Sequence, residues 1–120
     1  MTSTRVLALA AAVLALSGCA AKEKQAHAPV TVNATDSACE VSAAGAGAGP
    51  TTFVVTNTGT KVTEFYVYGP DDKVLGEVED ISPGLQRQLV VQFDKPATYR
   101  LACKPGMAGD GIRADFTVKP

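Results

Sequence analysis

The sequence predicts an all-β domain, a Greek-key antiparallel β-sandwich. Beyond residue 28, apolar side chains alternate with polar ones in period two, which is typical of half-buried strands. Turn signals rich in glycine, proline, asparagine and aspartate recur about every 8–12 residues. No stretch of this region has the 3.6-residue period of an amphipathic helix. Seven or eight short strands with this spacing favour two packed sheets.

The individual strands follow from the alternation, taken in order along the chain. They are expected at 29–35, 39–41, 52–57, 62–68, 73–79, 85–93, 97–103 and 112–118. In the strand 85–93, Leu85 is expected to share the core face with Phe93. Residues 43–50 contain only alanine, glycine and proline, so we expect a flexible connector there.

The first 18 residues have the pattern of a secretion signal. Arg5 precedes an apolar run, residues 6–16, that is too short to span a bilayer, which needs roughly 20 apolar residues. The ending Leu16-Ser17-Gly18-Cys19 resembles a bacterial lipobox. The resemblance implies cleavage after residue 18, lipidation of Cys19 and a location outside the cytoplasm, anchored to the bacterial cell membrane. An ordinary signal peptide with a chance cysteine is the alternative.

A polar tether is expected between the lipid and the domain. Residues 19–28 lack apolar periodicity and separate the signal from a domain at 29–120. The chain's only histidine, His27, lies in this tether, and we expect it to be solvated rather than a metal ligand. With a net charge of −1 and no basic stretch in the domain, the composition argues against a nucleic-acid partner.

The stretch 99–111 carries the most distinctive chemistry. Cys103 ends a predicted strand and Met107 follows four residues later, which is the layout of a copper loop in a small β-sandwich. A blue copper site also needs two imidazoles. Gly106 stands where one would lie and Glu64 near the place of the other, so we expect no blue, electron-transferring copper. Met107 is accordingly expected to be a packing residue rather than an axial ligand.

Several segments together resemble the EfeO-type cupredoxin-like domain, a branch of the cupredoxins found in bacterial iron-uptake systems. The segments are Val32-Asn33-Ala34-Thr35-Asp36 with Cys39-Glu40, 52–59, 64–68, 76–84 and 99–107. They occur in the family's order and cover nearly all of residues 29–120. The resemblance implies a cupredoxin-like sandwich, an iron or copper ion as cofactor, and uptake-system proteins as partners.

The same resemblance implies a set of metal-binding residues. They are Cys39, Glu64, Glu77 and Cys103; the copper-loop layout, not the resemblance, adds Met107 as a further candidate. Carboxylate oxygens suit hard Fe(III), whereas thiolates and thioethers suit Cu(I). On the strand 62–68, the side chains of Tyr66 and Tyr68 share the face of Glu64, and we expect them to pack rather than to bind metal.

A disulfide competes with the metal site for the two cysteines. If Cys19 carries lipid, Cys39 and Cys103 are left in an oxidising compartment, where such a pair normally forms a disulfide. Closing a loop of this length would add roughly 4 kcal/mol to the stability. An oxidised pair supplies no thiolate. The sequence leaves open a disulfide, a metal site, and a redox-linked site in which reduction exposes the thiolates.

Two functions therefore emerge from the sequence. The first is a lipid-anchored, extracytoplasmic metal-binding protein of the EfeO type, linked to iron uptake. The second is a metal-free, disulfide-closed sandwich that acts as an interaction module at the cell surface. A small redox protein is a third reading, which would need a redox-active copper. We expect no enzyme, because residues 29–120 contain no histidine for a Ser-His or Cys-His nucleophile.

Overall fold

The computed structural model describes residues 27–120, which fold into nine strands and one short 3-10 helix. The strands are β1 (Val30–Ala34), β2 (Cys39–Val41), β3 (Gly45–Gly47), β4 (Gly49–Asn57), β5 (Thr63–Tyr68), β6 (Val74–Ile81), β7 (Gln86–Phe93), β8 (Ala97–Cys103) and β9 (Ile112–Lys119). The 3-10 helix, Pro105–Met107, follows β8 directly. No helix within residues 27–120 is long and apolar enough to cross a membrane.

The strands form two sheets that pack face to face. The four-stranded sheet has the order β2-β1-β4-β7, and the five-stranded sheet has the order β3-β9-β8-β5-β6. Most neighbours are antiparallel, but β1 pairs with β4 and β3 pairs with β9 in parallel. The predicted β-sandwich is thus confirmed, with two parallel pairings that were not expected.

The core between the sheets is built around aromatic rings. Phe53 of the four-stranded sheet lies 5.4 Å from both Phe65 and Phe116 of the five-stranded sheet, measured between ring centroids. Phe93 contacts the ring of Tyr99 at 4.7 Å in an edge-on arrangement. Such tilted and edge-on pairs add about 0.5–1.5 kcal/mol each beyond their burial. Each of these side chains lies on the inward-facing side of its own strand, as the period-two pattern predicts.

Two local expectations are wrong. The stretch 43–50 is not a free connector, because Gly45–Gly47 forms β3 against β9 and β4 begins at Gly49. Leu85 is 42% exposed and precedes β7 instead of joining the core with Phe93. Its backbone carbonyl accepts a hydrogen bond from the amide of Asn57, which holds it in the turn.

Candidate functional site: the end of strand β8 and the outer face of the five-stranded sheet

The segment after β8 is fixed against the start of β5. The backbone amide of Lys104 donates to the carbonyl of Glu64 at 2.9 Å, and the amide of Glu64 donates to the carbonyl of Lys104 at 3.3 Å. Two residues further along each segment, the amide of Gly106 donates to the carbonyl of Val62 at 2.8 Å. Gly106 has a φ of 75°, a conformation that favours glycine. These backbone hydrogen bonds and the positive φ of Gly106 therefore fix the geometry of the loop after β8.

Cys39 and Cys103 form a disulfide that joins the two sheets. Cys39 lies on β2 of the four-stranded sheet, and Cys103 ends β8 of the five-stranded sheet. The Cα atoms are 5.5 Å apart, and the two residues are 64 positions apart in the sequence. Cys103 is fully buried, whereas Cys39 is half-buried. In this state neither sulfur is a thiolate, so the pair can bind no metal as thiolate ligands.

The structure separates the two glutamates of the metal-binding set implied by the resemblance from its two cysteines. Cys103 lies opposite Phe65 in the pairing of β8 with β5, and both side chains are buried in the core. Glu64, the neighbour of Phe65, is on the other face of the sheet because successive side chains of a strand alternate. Thr63, 1% exposed, shares the inner face with Phe65 instead. Glu64 therefore faces away from Cys103, and the residue before it in β5, Thr63, is the one on the inner face.

Glu77 also lies on the outer face, next to a pair of tyrosines. It is directly opposite Tyr66 in the pairing of β5 with β6. The Tyr66 hydroxyl donates a hydrogen bond of 2.9 Å to Oε1 of Glu79. Tyr66 and Tyr68 stack with their ring centroids 5.7 Å apart. The predicted common face of Glu64, Tyr66 and Tyr68 is consistent with this arrangement.

Two cationic side chains contact the tyrosine rings on this face. Nζ of Lys104 lies 4.0 Å from the ring centroid of Tyr66, and the guanidinium carbon of Arg113 lies 5.5 Å from that of Tyr68. Both distances are in the range of cation–π contacts. We call Glu64, Tyr66, Tyr68, Glu77, Glu79 and Lys104 the tyrosine cluster. Sequence reasoning does not identify Lys104 and Glu79 as partners of Tyr66, although Lys104, directly after Cys103, is expected on the opposite face.

The tyrosine cluster strongly favours the neutral phenol of Tyr66. Burial of the hydroxyl, its hydrogen bond to Glu79 and the negative charges of Glu64 and Glu77 together raise the pKa of Tyr66 well above its ordinary value. A phenolate, which would be the ligand for Fe(III), is therefore unfavourable here unless a bound cation offsets the carboxylate charges.

The donor set does not fit a blue copper ion. Such a site needs two imidazoles and a thiolate. Within residues 27–120 the one histidine is His27, which is exposed before β1, and both cysteines are in the disulfide. No group of three or more His, Cys, Asp or Glu side chains in this range is positioned to hold a metal ion. Met107 is 42% exposed, so its prediction as a packing residue is wrong.

The N-terminal features lie outside the described residues. The signal peptide 1–18, the lipidation site Cys19 and the tether up to residue 26 remain predictions.

Comparison with known families identifies the family to which this β-sandwich belongs. The sequence profile of the cupredoxin-like domain matches residues 6–118, so the chain belongs to the family of cupredoxin-like domains. Folds of this family are typical of copper-type electron-transfer and metal-binding proteins. A comparison with curated protein sequences finds no match.

Solved structures share the fold at low sequence identity. Reduced auracyanin from Roseiflexus castenholzii has a TM-score of 0.58 at 15% identity, over 75% of this chain and 95% of that protein. An azurin (Az-iso2) from Methylomonas sp. strain J has a TM-score of 0.58 at 14% identity, over 79% and 100%. Auracyanin A from Chloroflexus aurantiacus, described as a "blue" copper protein, has a TM-score of 0.54 at 11% identity, over 77% and 100%.

Proposed function

We propose that this chain is a lipid-anchored, extracytoplasmic cupredoxin-like domain that acts as a metal-free, disulfide-closed interaction module at the bacterial cell surface. The observation that carries the proposal is the Cys39–Cys103 disulfide. It occupies the sulfur at the end of β8 that a copper loop would use as thiolate, and it ties that sulfur to the opposite sheet. The function of the domain is then to present its surface to a partner, without catalysis.

The lipid anchor is supported by the sequence alone. The lipobox-like ending at Cys19 would give a membrane attachment, and the domain would follow a short polar tether. Mass spectrometry of the protein from membranes tests this part. A diacylglyceryl group on an N-terminal Cys19 is expected, and a Cys19→Ala variant should remain unprocessed. A mature N-terminus elsewhere would contradict lipidation.

The closed, metal-free state is tested by thiol counting and metal titration on the full chain. Alkylation under denaturing conditions should label neither Cys39 nor Cys103 before reduction, and both after reduction. Calorimetric titration with Cu(II) and Fe(III), and competition with a Cu(I) chelator, should show no saturable binding to the oxidised protein. Stoichiometric binding of any of these ions to the oxidised protein would overturn the metal-free proposal.

A second function is favoured by the oxygen donors of the tyrosine cluster. As an EfeO-type protein linked to iron uptake, the chain would capture a metal ion outside the cytoplasmic membrane and pass it to an uptake protein. Glu79 accepts a hydrogen bond from the Tyr66 hydroxyl, and the charges of Glu64 and Glu77 also act on this phenol. Carboxylates with a phenolate form a hard donor set suited to Fe(III). The cysteines would contribute to a softer, Cu(I)-binding set only after reduction.

The metal function has its own discriminating variants. Glu64→Gln and Glu77→Gln should each weaken Fe(III) binding at least tenfold, and bound Fe(III) should give a visible phenolate charge-transfer band that Tyr66→Phe removes. The matched control is Glu40→Gln, which changes an exposed glutamate of the four-stranded sheet. Equal binding by all four variants and the wild type would exclude the tyrosine cluster as the site.

A further inference from the structure

Exposed apolar side chains are concentrated along one side of the sandwich. Among the described residues, five large hydrophobic side chains are exposed: Val74, Leu75, Leu85, Val90 and Met107. Four of the five lie on β6, on β7 or in the turn just before β7, which are the neighbouring edges of the two sheets. Val90 is the most exposed of them, at 63%. Clustered exposed apolar residues mark interaction surfaces more often than scattered ones do.

Strand β7 is an edge strand without the usual protection against pairing. Its eight residues pair in an unbroken register with β4 on one side. No strand among residues 27–120 pairs with its other side. Edge strands are normally blunted by shortness, bulges, proline or charge. Arg87, at one end, is the one charged residue in β7, and the strand contains neither proline nor glycine.

The other three edges of the described sheets are protected. Strands β2 and β3 have three residues each. Strand β6 has two irregularities in its pairing with β5, and it carries Glu77, Glu79 and Asp80. The contrast singles out β7 as the edge open to another strand.

The outer face of the four-stranded sheet, which ends at β7, is almost uncharged. On the outer face of the four-stranded sheet, β7 contributes Gln86, Gln88, Val90 and Gln92, and β4 contributes Thr52, Val54 and Thr56. The one charged side chain on this face, Glu40 of β2, accepts a hydrogen bond of 2.9 Å from Asn33. Depletion of charge is characteristic of the central part of protein interfaces.

We propose that β7 pairs antiparallel with β7 of a second copy of this chain, joining the two four-stranded sheets into one continuous eight-stranded sheet. The sequence of the strand fits a two-fold axis through Val90. With Val90 opposite Val90 of the second copy, Gln88 is opposite Gln92 and Gln92 opposite Gln88. All these side chains lie on the outer face, because paired residues in antiparallel strands share a face.

A second copy of the chain is the partner that fits this edge, because the sequence of β7 is complementary to itself. The pattern Gln88-Leu89-Val90-Val91-Gln92 is palindromic in polarity, so one strand supplies both halves of an isologous interface. Apolar Val90 meets its equivalent at the centre, and amide side chains that donate and accept hydrogen bonds lie opposite each other on both sides. No like charges are opposed, since Arg87 would lie opposite Phe93. The pairing requires neither a lipid anchor nor a metal.

Cysteine cross-linking of the full chain, in membranes and after purification, tests the register. Val90→Cys should form a disulfide-linked dimer with itself under mild oxidation, because opposed residues have Cα atoms about 4.5–5.5 Å apart. Gln88→Cys alone and Gln92→Cys alone should cross-link poorly, but a mixture of the two should give a mixed dimer. Val54→Cys is the matched control, since its symmetry mate would lie roughly three strand spacings, or about 14 Å, away.

Sedimentation velocity of the purified full chain supplies an independent readout. The wild type should show a concentration-dependent monomer–dimer equilibrium. Val90→Lys should weaken it at least tenfold, whereas Val54→Lys, on the same face of the inner strand β4, should leave it within threefold. A monomeric wild type, or equal cross-linking at positions 54, 88 and 90, would overturn the proposal. Cross-linking of Val90→Cys only to another protein would also overturn it, because it would assign β7 to a different partner.

Discussion

The surroundings of Tyr66 shift its protonation equilibrium strongly toward the neutral phenol. Its hydroxyl is buried beside Glu79, and two further carboxylates face it, so its pKa is raised well above the value of about 10 that the unfolded chain retains. The unfolded state then releases this proton at a lower pH than the folded state does. Stability contributed by Tyr66 is fully present below pH 10 and is lost as the pH rises above it.

A Tyr66→Phe variant should therefore lose less stability in alkali than the wild type. Between about pH 10 and 11.5 the wild-type free energy of unfolding should fall more steeply, by up to about 1.4 kcal/mol per pH unit. Urea unfolding at several pH values measures the slopes. Tyr68→Phe serves as the control on the same strand face. Parallel pH profiles for the wild type and Tyr66→Phe would show that the tyrosine cluster does not hold the phenol neutral.

Asn57 is the buried polar residue that connects the two sheets. Its Nδ2 donates to the carbonyls of Lys61 and Ile81, each at 2.7 Å, and its Oδ1 accepts from the amide of Gly59 at 2.9 Å. The residue ends β4 of one sheet, whereas Ile81 ends β6 of the other. Asn57 is 1% exposed, so water cannot readily replace these bonds.

Replacing Asn57 with alanine should destabilise the protein by about 2–3 kcal/mol, because buried backbone groups lose their partners. Thermal or urea unfolding measures the loss. The matched control is Asn33→Ala: Asn33 also makes side-chain hydrogen bonds, to Glu40 and Thr58, but at the exposed outer face of β1. That change should lower the stability by less than about 1 kcal/mol. Equal losses for the two variants would refute the structural role of Asn57.

The candidate site shows which residue-level features the sequence could predict. Alternation along a single strand correctly suggested that Glu64, Tyr66 and Tyr68 share a face. It could not reveal that Glu64 faces away from Cys103, since this depends on the register of β5 with β8, in which Phe65 lies opposite Cys103. Registers between distant segments are set by the packing of the whole sheet, and local periodicity contains no information about them.

Among the elements, β3 shows how tertiary pairing overrides composition. Glycine and alanine have low strand propensity, so residues 43–50 indicated a connector. In the structure, Gly45–Gly47 pairs in parallel with β9, and the amide of Thr117 donates to the carbonyl of Ala44 at 2.9 Å. Small residues are needed here, because a Cβ at position 45 would collide with the carbonyl group of Thr117.

Gly45→Ala should therefore detach or displace β3. We expect a loss of about 1–3 kcal/mol, in the range for overpacking at a close contact. Hydrogen exchange should show faster exchange of the Thr117 amide. Gly47→Ala is the matched control, since a Cβ there would have no atom within 4 Å. That variant should be neutral or slightly stabilising, because alanine reduces the freedom of the unfolded chain. Similar behaviour of the two variants would contradict the close-contact explanation.

At the scale of the whole molecule, the sandwich could be predicted but its sheet order could not. Period-two alternation and frequent turns require two sheets that bury their inner faces, and Phe53, Phe93 and Phe116 lie in the core as their positions in the pattern suggest. The parallel pairings of β1 with β4 and of β3 with β9 arise from connections that cross between sheets. The strand pattern is the same for several such topologies, so sequence reasoning could not choose among them.

The disulfide acts at this largest scale, because it joins an edge strand of one sheet to an inner strand of the other. Cys39→Ala/Cys103→Ala should lower the free energy of unfolding by up to about 4 kcal/mol, since the unfolded chain is freed from a closed loop with a separation of 64 residues. Urea unfolding with and without a phosphine reductant provides the measurement. Reductant should lower the midpoint of the wild type and leave that of the double variant unchanged. A wild-type midpoint that does not respond, with reduction verified by alkylation, would mean that the two sheets are held together by the aromatic core and the Asn57 hydrogen bonds alone.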